Sequence, residues 1–139
     1  MKSVFYFDLG SPYAYLSAER IDGDCEDAGL EPPVWRPVLL GGLFKRFGRS
    51  SWALTESRDE GMAEIERRAA DYGLPPVRWP HPWPDSYLLS MRVATAAWRE
   101  NPTREFALAA FHQAFVLGRD LANRETLRLA AVDSGLDPE

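Results

Sequence analysis

The chain has 139 residues, 45% of them hydrophobic, enough for one buried core, so one globular domain is the starting expectation. Its 16 basic residues are outnumbered by 21 acidic ones, a net charge of −5 that argues against nucleic acid as a partner. No apolar run is long enough to span a membrane, the start does not read as a signal peptide, and a single cysteine excludes an internal disulfide and suits a reducing cytoplasm.

In chain order, residues 3–8 read as a β-branched and aromatic strand. Residues 12–28 read as a helix, with Ala14, Ala18, Ile21, Cys25 and Ala28 as its apolar stripe and Gly29 as its stop. Val34 to Val38, between Pro32-Pro33 and Pro37, is a second short strand. A strand–helix–strand unit of this length is parallel and right-handed. The rest is helical. A short helical turn is expected over 43–47. A longer helix over 56–72 carries Met62, Ile65, Ala69 and Tyr72 on one face and ends at Gly73. Residues 79–84 hold three prolines and cannot be helix. Asp85 then caps a helix carrying Tyr87, Met91, Ala94 and Trp98, which Pro102 breaks. Thr103 starts the next, with Phe106, Ala110, Phe111, Ala114, Phe115 and Leu117, ending at Gly118. Asn123 caps the last, Arg124 to Ser134. A two-stranded sheet is marginal alone, so helices, another copy of the chain or poor local order are expected at its open face and edge.

The chemistry concentrates where the first strand meets the first helix. Pro12 has its φ preset for a first helical position, which places Ser11 at the N-cap. A hydroxyl there faces several free N–H groups, a place to hold an anion such as a thiolate. The junction reads Ser11-Pro12-Tyr13-Ala14, without sulfur.

This opening, with Phe5-Tyr6-Phe7-Asp8 before Ser11-Pro12 and Tyr15-Leu16 after it, resembles the 2-hydroxychromene-2-carboxylate isomerases and kappa-class glutathione transferases of the DsbA-like thioredoxin superfamily. The resemblance continues through residues 37–44, Pro82-Trp83-Pro84-Asp85 with Met91-Arg92, and Phe115 to Asp120. It implies an α/β fold: a thioredoxin-like strand–helix–strand start in residues 1–42, interrupted by a helical insertion domain in residues 43–139. It also implies a further third of a chain, with a cis-proline turn, two antiparallel strands and a last helix. The sequence stops at Leu136-Asp137-Pro138-Glu139, so that C-terminal thioredoxin half is expected to be absent, in a truncated piece or a natural remnant. Pro138 is too near the end to supply the turn.

The resemblance implies glutathione as cofactor, with Ser11 as the catalytic group that stabilises its thiolate. A free thiol has a pKa of about 8.5, and a hydroxyl donor at a helix N-terminus favours its ionised form. The bland reading of Ser11, a simple cap, is compatible, because one hydroxyl donates while its lone pairs accept. Pro12, Tyr13, Lys45 and Trp83 are the expected glutathione binders, Lys45 as a clamp for carboxylates. Each has an ordinary counterpart: aromatic packing for Tyr13 and Tyr15, a solvated face for Lys45 and Arg46, an extended connector packing its indoles for Trp79, His81 and Trp83. Asp8 reads as a loop-orienting carboxylate in an exposed turn. Family members often carry Asn where Asp85 stands. His81 and His112 show no metal-ligand spacing. Three functions stay open: a glutathione-dependent isomerase acting on a small molecule, a kappa-like glutathione transferase, and a fold remnant without catalysis. A Cys-x-x-Cys oxidoreductase is excluded by the missing sulfurs. A homo-oligomer covering the face near Val4, Phe5, Tyr6 and Val38 is expected.

Overall fold

The aromatic run at the start forms strand β1, Val4–Phe7, in the computed structural model, which describes residues 2–136. It pairs in parallel with β2, Val34–Pro37, in the register Val4↔Val34 through Phe7↔Pro37. Between them lies not one helix but two, α1 over Pro12–Ala18 and α2 over Ile21–Asp27. The break falls at Arg20, whose N–H turns back to the Ser17 carbonyl at 3.1 Å. Asp22 and Asp24 then favour a fresh helix start, being acids in the first turn of α2, while Gly23 disfavours an unbroken helix interior. The expected apolar stripe holds at Ala18, with Ala14 and Ile21 packed against the core, and fails at Cys25 and Ala28. Tyr15, Leu16 and Ala18 go to the core, while α2 buries no side chain and Cys25 is half-exposed.

Helix α3, Leu40–Arg46, starts earlier than the expected turn over 43–47. After a short 3-10 turn at Trp52–Leu54 come α4 (Arg58–Asp71), α5 (Leu88–Glu100), α6 (Thr103–Phe111) and α7 (Arg124–Ser134). The last residues of the α6 pattern form a π-turn, His112–Val116. Asn123 caps α7 as expected, its Oδ1 accepting the Glu125 N–H at 2.8 Å. Asp85 does not cap α5. Its carboxylate accepts the adjacent Ser86 N–H at 2.7 Å, and Tyr87 stands at the cap position. Tyr72, Trp98 and Leu117, expected on apolar stripes, are exposed, since each lies at the last turn of its pattern. Among the described residues, no helix is long and apolar enough to cross a membrane. Pro138 lies outside the described residues.

The sheet has one covered face. Phe5, Phe7 and Trp35 lie on it, Phe5 against Trp35 at 4.9 Å and Phe7 against Phe111 of α6 at 6.3 Å between ring centroids. Period-two alternation turns Val4, Tyr6 and Val34 the other way. They are exposed, Tyr6 by 56%. Phe5 therefore belongs to the core side, not to the open face with Val4 and Tyr6. The fold is mixed α/β, with a small parallel sheet packed on helices.

Phe111 is fully buried and touches Phe7, Tyr15 and Phe115 at 6.1 to 6.4 Å between centroids. Truncating a buried Phe to Ala costs about 3–5 kcal/mol. Phe111→Ala is expected to lose that much in a urea unfolding midpoint analysis, a large part of what a domain of this size has in total.

Candidate functional site

Two short loops meet at the ends of the parallel strands, and one side chain joins them. Asp8 leaves β1 and is only 6% exposed. Its Oδ1 accepts the Gly10 N–H at 2.7 Å, and its Oδ2 accepts the Leu40 N–H at 2.7 Å. Burial pushes its carboxyl above the usual carboxylate range, and the two backbone N–H bonds hold it partly down. The expectation of an exposed turn carboxylate is thus corrected. Asp8 does orient the loop, from inside.

Ser11 takes the N-cap position of α1, with Pro12 in the first turn. Its Oγ accepts the Ala14 N–H at 3.2 Å, which leaves the hydroxyl proton to donate elsewhere. Because α1 ends at Ala18, only two turns of helix stand behind this hydroxyl. An anion here depends on the O–H itself far more than on a helix dipole.

Ser11, Pro12, Tyr13 and Trp83 line one cavity of about 200 Å³, together with Trp52 and Phe44. Lys45 does not reach it. It lines an adjoining cavity of about 530 Å³ with Arg49, Asp8, Asp85 and Tyr87. Gly10, Leu40, Phe44, Ser50, Ser51 and Pro84 border both, so the two form one branched cleft. The structure therefore brings together Ser11 and the four glutathione binders that the resemblance implies, with Lys45 in the wider branch.

The proline-rich connector forms one wall through Trp83 and Pro84, while Trp79 and His81 do not line the cleft. Trp83 is 5% exposed and packs against Trp79 at 4.5 Å and Trp52 at 5.7 Å between centroids. Its carbonyl accepts Arg58 Nη2 at 2.8 Å, while Trp79 Nε1 donates to Glu66 at 2.8 Å. The His81–Pro82 and Trp83–Pro84 bonds are cis. Tyr13 is exposed, its ring edge-on to Trp52 with the Arg68 guanidinium 5.8 Å from its centroid. Tyr15 is a core residue, stacked on Phe115, and takes no part in the cleft.

Sequence reasoning missed the loop at Ser50-Ser51, Trp52 and Tyr87. Tyr87 fills the space a side chain at position 10 would need, since a Cβ built on Gly10 falls onto its ring. A glycine directly before the Ser-Pro pair was the available signal. Burial first, then the carboxylates of Asp120, Asp8 and Asp85, push the Tyr87 phenol above its ordinary value, so it stays protonated. Asp120 is raised by burial and by facing Asp85.

Residues 4–139 match the family model of the DSBA-like thioredoxin domain. A 2-hydroxychromene-2-carboxylate isomerase of Sphingobium xenophagum is 27% identical to the chain over 140 residues, covering 97% of this chain and 69% of that protein. A solved structure, a probable DsbA oxidoreductase of Streptomyces coelicolor, superposes with a TM-score of 0.68 at 20% identity. That match covers 99% of this chain and 64% of the other, so the chain spans less than two thirds of the solved structure's length. At this identity the likeness is one of fold.

Asp8→Asn keeps the shape but turns an amide NH2 toward one of the two backbone donors. Leaving one N–H unmatched is expected to cost about 1–3 kcal/mol. The pH dependence has a definite sign. The unfolded Asp releases its proton near 3.8, whereas folded Asp8 holds it to higher pH. Between those values the folded state binds more protons, so this group's contribution to stability falls as pH rises. Subtracting the Asp8→Asn melting curve from the wild-type curve, from acid upward through that window, is expected to show that fall.

Proposed function

The chain belongs to the DSBA-like thioredoxin domain family, and we propose that it is a glutathione-dependent isomerase of the 2-hydroxychromene-2-carboxylate type. The observation that carries this reading is Ser11, a capping hydroxyl with its proton free, set in an open cleft at the strand-to-helix junction. The relative from Sphingobium xenophagum supports the reaction class. Cys25, the one cysteine in the sequence, is on α2 and does not line the cleft, which supports thiol chemistry supplied by a ligand over a protein disulfide.

The cleft suits glutathione in its donors. The narrow branch holds the Ser11 hydroxyl and no charged side chain, and the wider branch offers Lys45 and Arg49 to carboxylates. Bound there, glutathione would supply a thiolate nucleophile for reversible addition to an unsaturated carbonyl compound. Ser11 donates its O–H to the sulfur and holds it ionised. Pro12, Tyr13 and Trp83 wall the narrow branch and limit water beside that charge. Lys45 pairs with a carboxylate and fixes the peptide along the wider branch. A kappa-like transferase would use the same groups, and only the product distinguishes it.

Calorimetric titration with glutathione at millimolar concentration tests the reading. Wild type is expected to bind. Ser11→Ala removes a hydrogen bond to a charged sulfur and is expected to weaken binding roughly ten- to a hundredfold. It also removes a cap worth about 1 kcal/mol. Ser11→Asp keeps the cap, repels the thiolate, and is expected to abolish binding in a protein that still melts cooperatively. A folded wild type that ignores glutathione overturns the glutathione reading and favours a fold remnant without catalysis.

The assembly belongs to the same proposal. Val4, Tyr6 and Val34 leave an exposed apolar sheet face, and we place a second copy of the chain on it, in the cytoplasm. Sedimentation at micromolar concentration is expected to give a dimer, and Tyr6→Lys a monomer with unchanged helical signal. A wild-type monomer rejects the assembly and leaves the glutathione reading standing.

A further inference from the structure

A second cavity lies outside this cleft. It is a groove of about 590 Å³ between α5 and α7, within the range of small-molecule sites. It shares no lining residue with either branch of the cleft. Its floor is apolar, made by Leu89 and Val93 of α5, Leu127 and Ala131 of α7, and Leu136. Its rim is basic. Among the described residues, Arg92, Arg124 and Arg128 line it against one carboxylate, Glu100.

That balance runs against the whole chain, in which acids exceed bases by five. The three arginines also differ in their pairing. Arg128 is held by Glu125 at 2.8 Å. Among the described residues, Arg92 and Arg124 have neither an ion-pair partner nor a side-chain hydrogen bond. Arg124 is moreover the first residue of an eleven-residue helix, where the positive helix end disfavours a cation. Local rules are broken at functional or strained sites, and no strain accompanies this one.

We propose that this groove binds a single-chain amphiphilic carboxylate, a fatty acid or a molecule like one. The apolar body lies on Leu89, Val93 and Leu127, and the carboxylate is taken by the guanidiniums of Arg92 and Arg124. Guanidinium suits this task through its planar donors, which match both oxygens of a carboxylate. The complementarity is twofold, an apolar floor for the chain and excess positive charge at the rim for the head. A cationic amphiphile meets the floor but is repelled by the rim. A short anion such as acetate meets the rim but forgoes the floor.

The probe is dodecanoate, titrated calorimetrically below its micelle concentration, with dodecylammonium as the charge-reversed control. Dodecanoate is expected to bind and dodecylammonium to bind at least roughly tenfold more weakly. Replacing both arginines, Arg92→Gln with Arg124→Gln, is expected to cost a similar factor while leaving the melting temperature and any glutathione binding in place. Ala96 lines the groove from an exposed position on α5, so Ala96→Trp fills the groove without disturbing the core and is expected to block dodecanoate. The proposal is overturned if dodecanoate does not bind the wild type, if both amphiphiles bind alike, if the double variant binds as wild type does, or if Ala96→Trp leaves affinity unchanged. Competition between dodecanoate and glutathione would likewise overturn it, by placing the amphiphile in the cleft.

Discussion

One carboxylate holds the two loops of the cleft in register. Asp8 spends both oxygens on backbone N–H groups, one in the turn that leads to Ser11 and one at the start of the helix that carries Lys45. The Val38 N–H, donated to the Phe7 carbonyl at 2.9 Å, is the last backbone tie between the two segments, and Asp8 carries the connection on to Gly10 and Leu40. Placing a carboxyl in so enclosed a position opposes its ionisation, and the two short hydrogen bonds oppose that penalty. The Leu9 N–H adds a third tie, to the Met91 sulfur of α5 at 3.3 Å. The turn after β1 is thereby fixed to α5 and to the loop after β2, and the position of the Ser11 hydroxyl follows from that.

A continuous path of aromatic contacts connects this junction to the core. It runs from Phe5 and Trp35 through Phe7 to Phe111, then by Tyr15 and Phe115 to Trp79, and on through Trp83 and Trp52 to Tyr13. Its two ends lie in β1 and in the first turn of α1. Tilted and edge-on pairs of this kind contribute about 0.5–1.5 kcal/mol each beyond the area they bury. The cleft wall and the sheet therefore belong to one packed unit, although residues of the wall come from the proline-rich connector and the sheet from the start of the chain.

Much of this was legible in the residues. The parallel strands, the cap at Ser11, the stop at Gly29 and the cap at Asn123 follow from local chemistry, and the structure reproduces them. The split of the first helix was less visible, because small apolar residues kept a helical spacing across Arg20 while the acids and glycine of Ile21 to Asp24 favoured a new start. Periodicity also overstated burial at helix ends, as at Tyr72 and Trp98, whose rings lie at the surface beside the guanidiniums of Arg20 and Arg36. The cleft was half legible. Ser11, Pro12 and Tyr13 are adjacent in sequence, and Lys45 and Trp83 came from a resemblance. The burial of Asp8 and the place of Tyr87 depend on long-range contacts that no local pattern encodes.

The contact of Gly10 with the Tyr87 ring links two positions 77 residues apart in sequence. Neither can change alone in the direction of greater bulk. A methyl at position 10 has nowhere to go while the phenol ring is there, and a smaller residue at 87 opens a space that only a larger residue at 10 refills. A Cβ at position 10 therefore requires the Tyr87 ring to shift, whereas a small residue at 87 leaves room for it. The order that avoids a clash is set by shape: shrink position 87, then enlarge position 10.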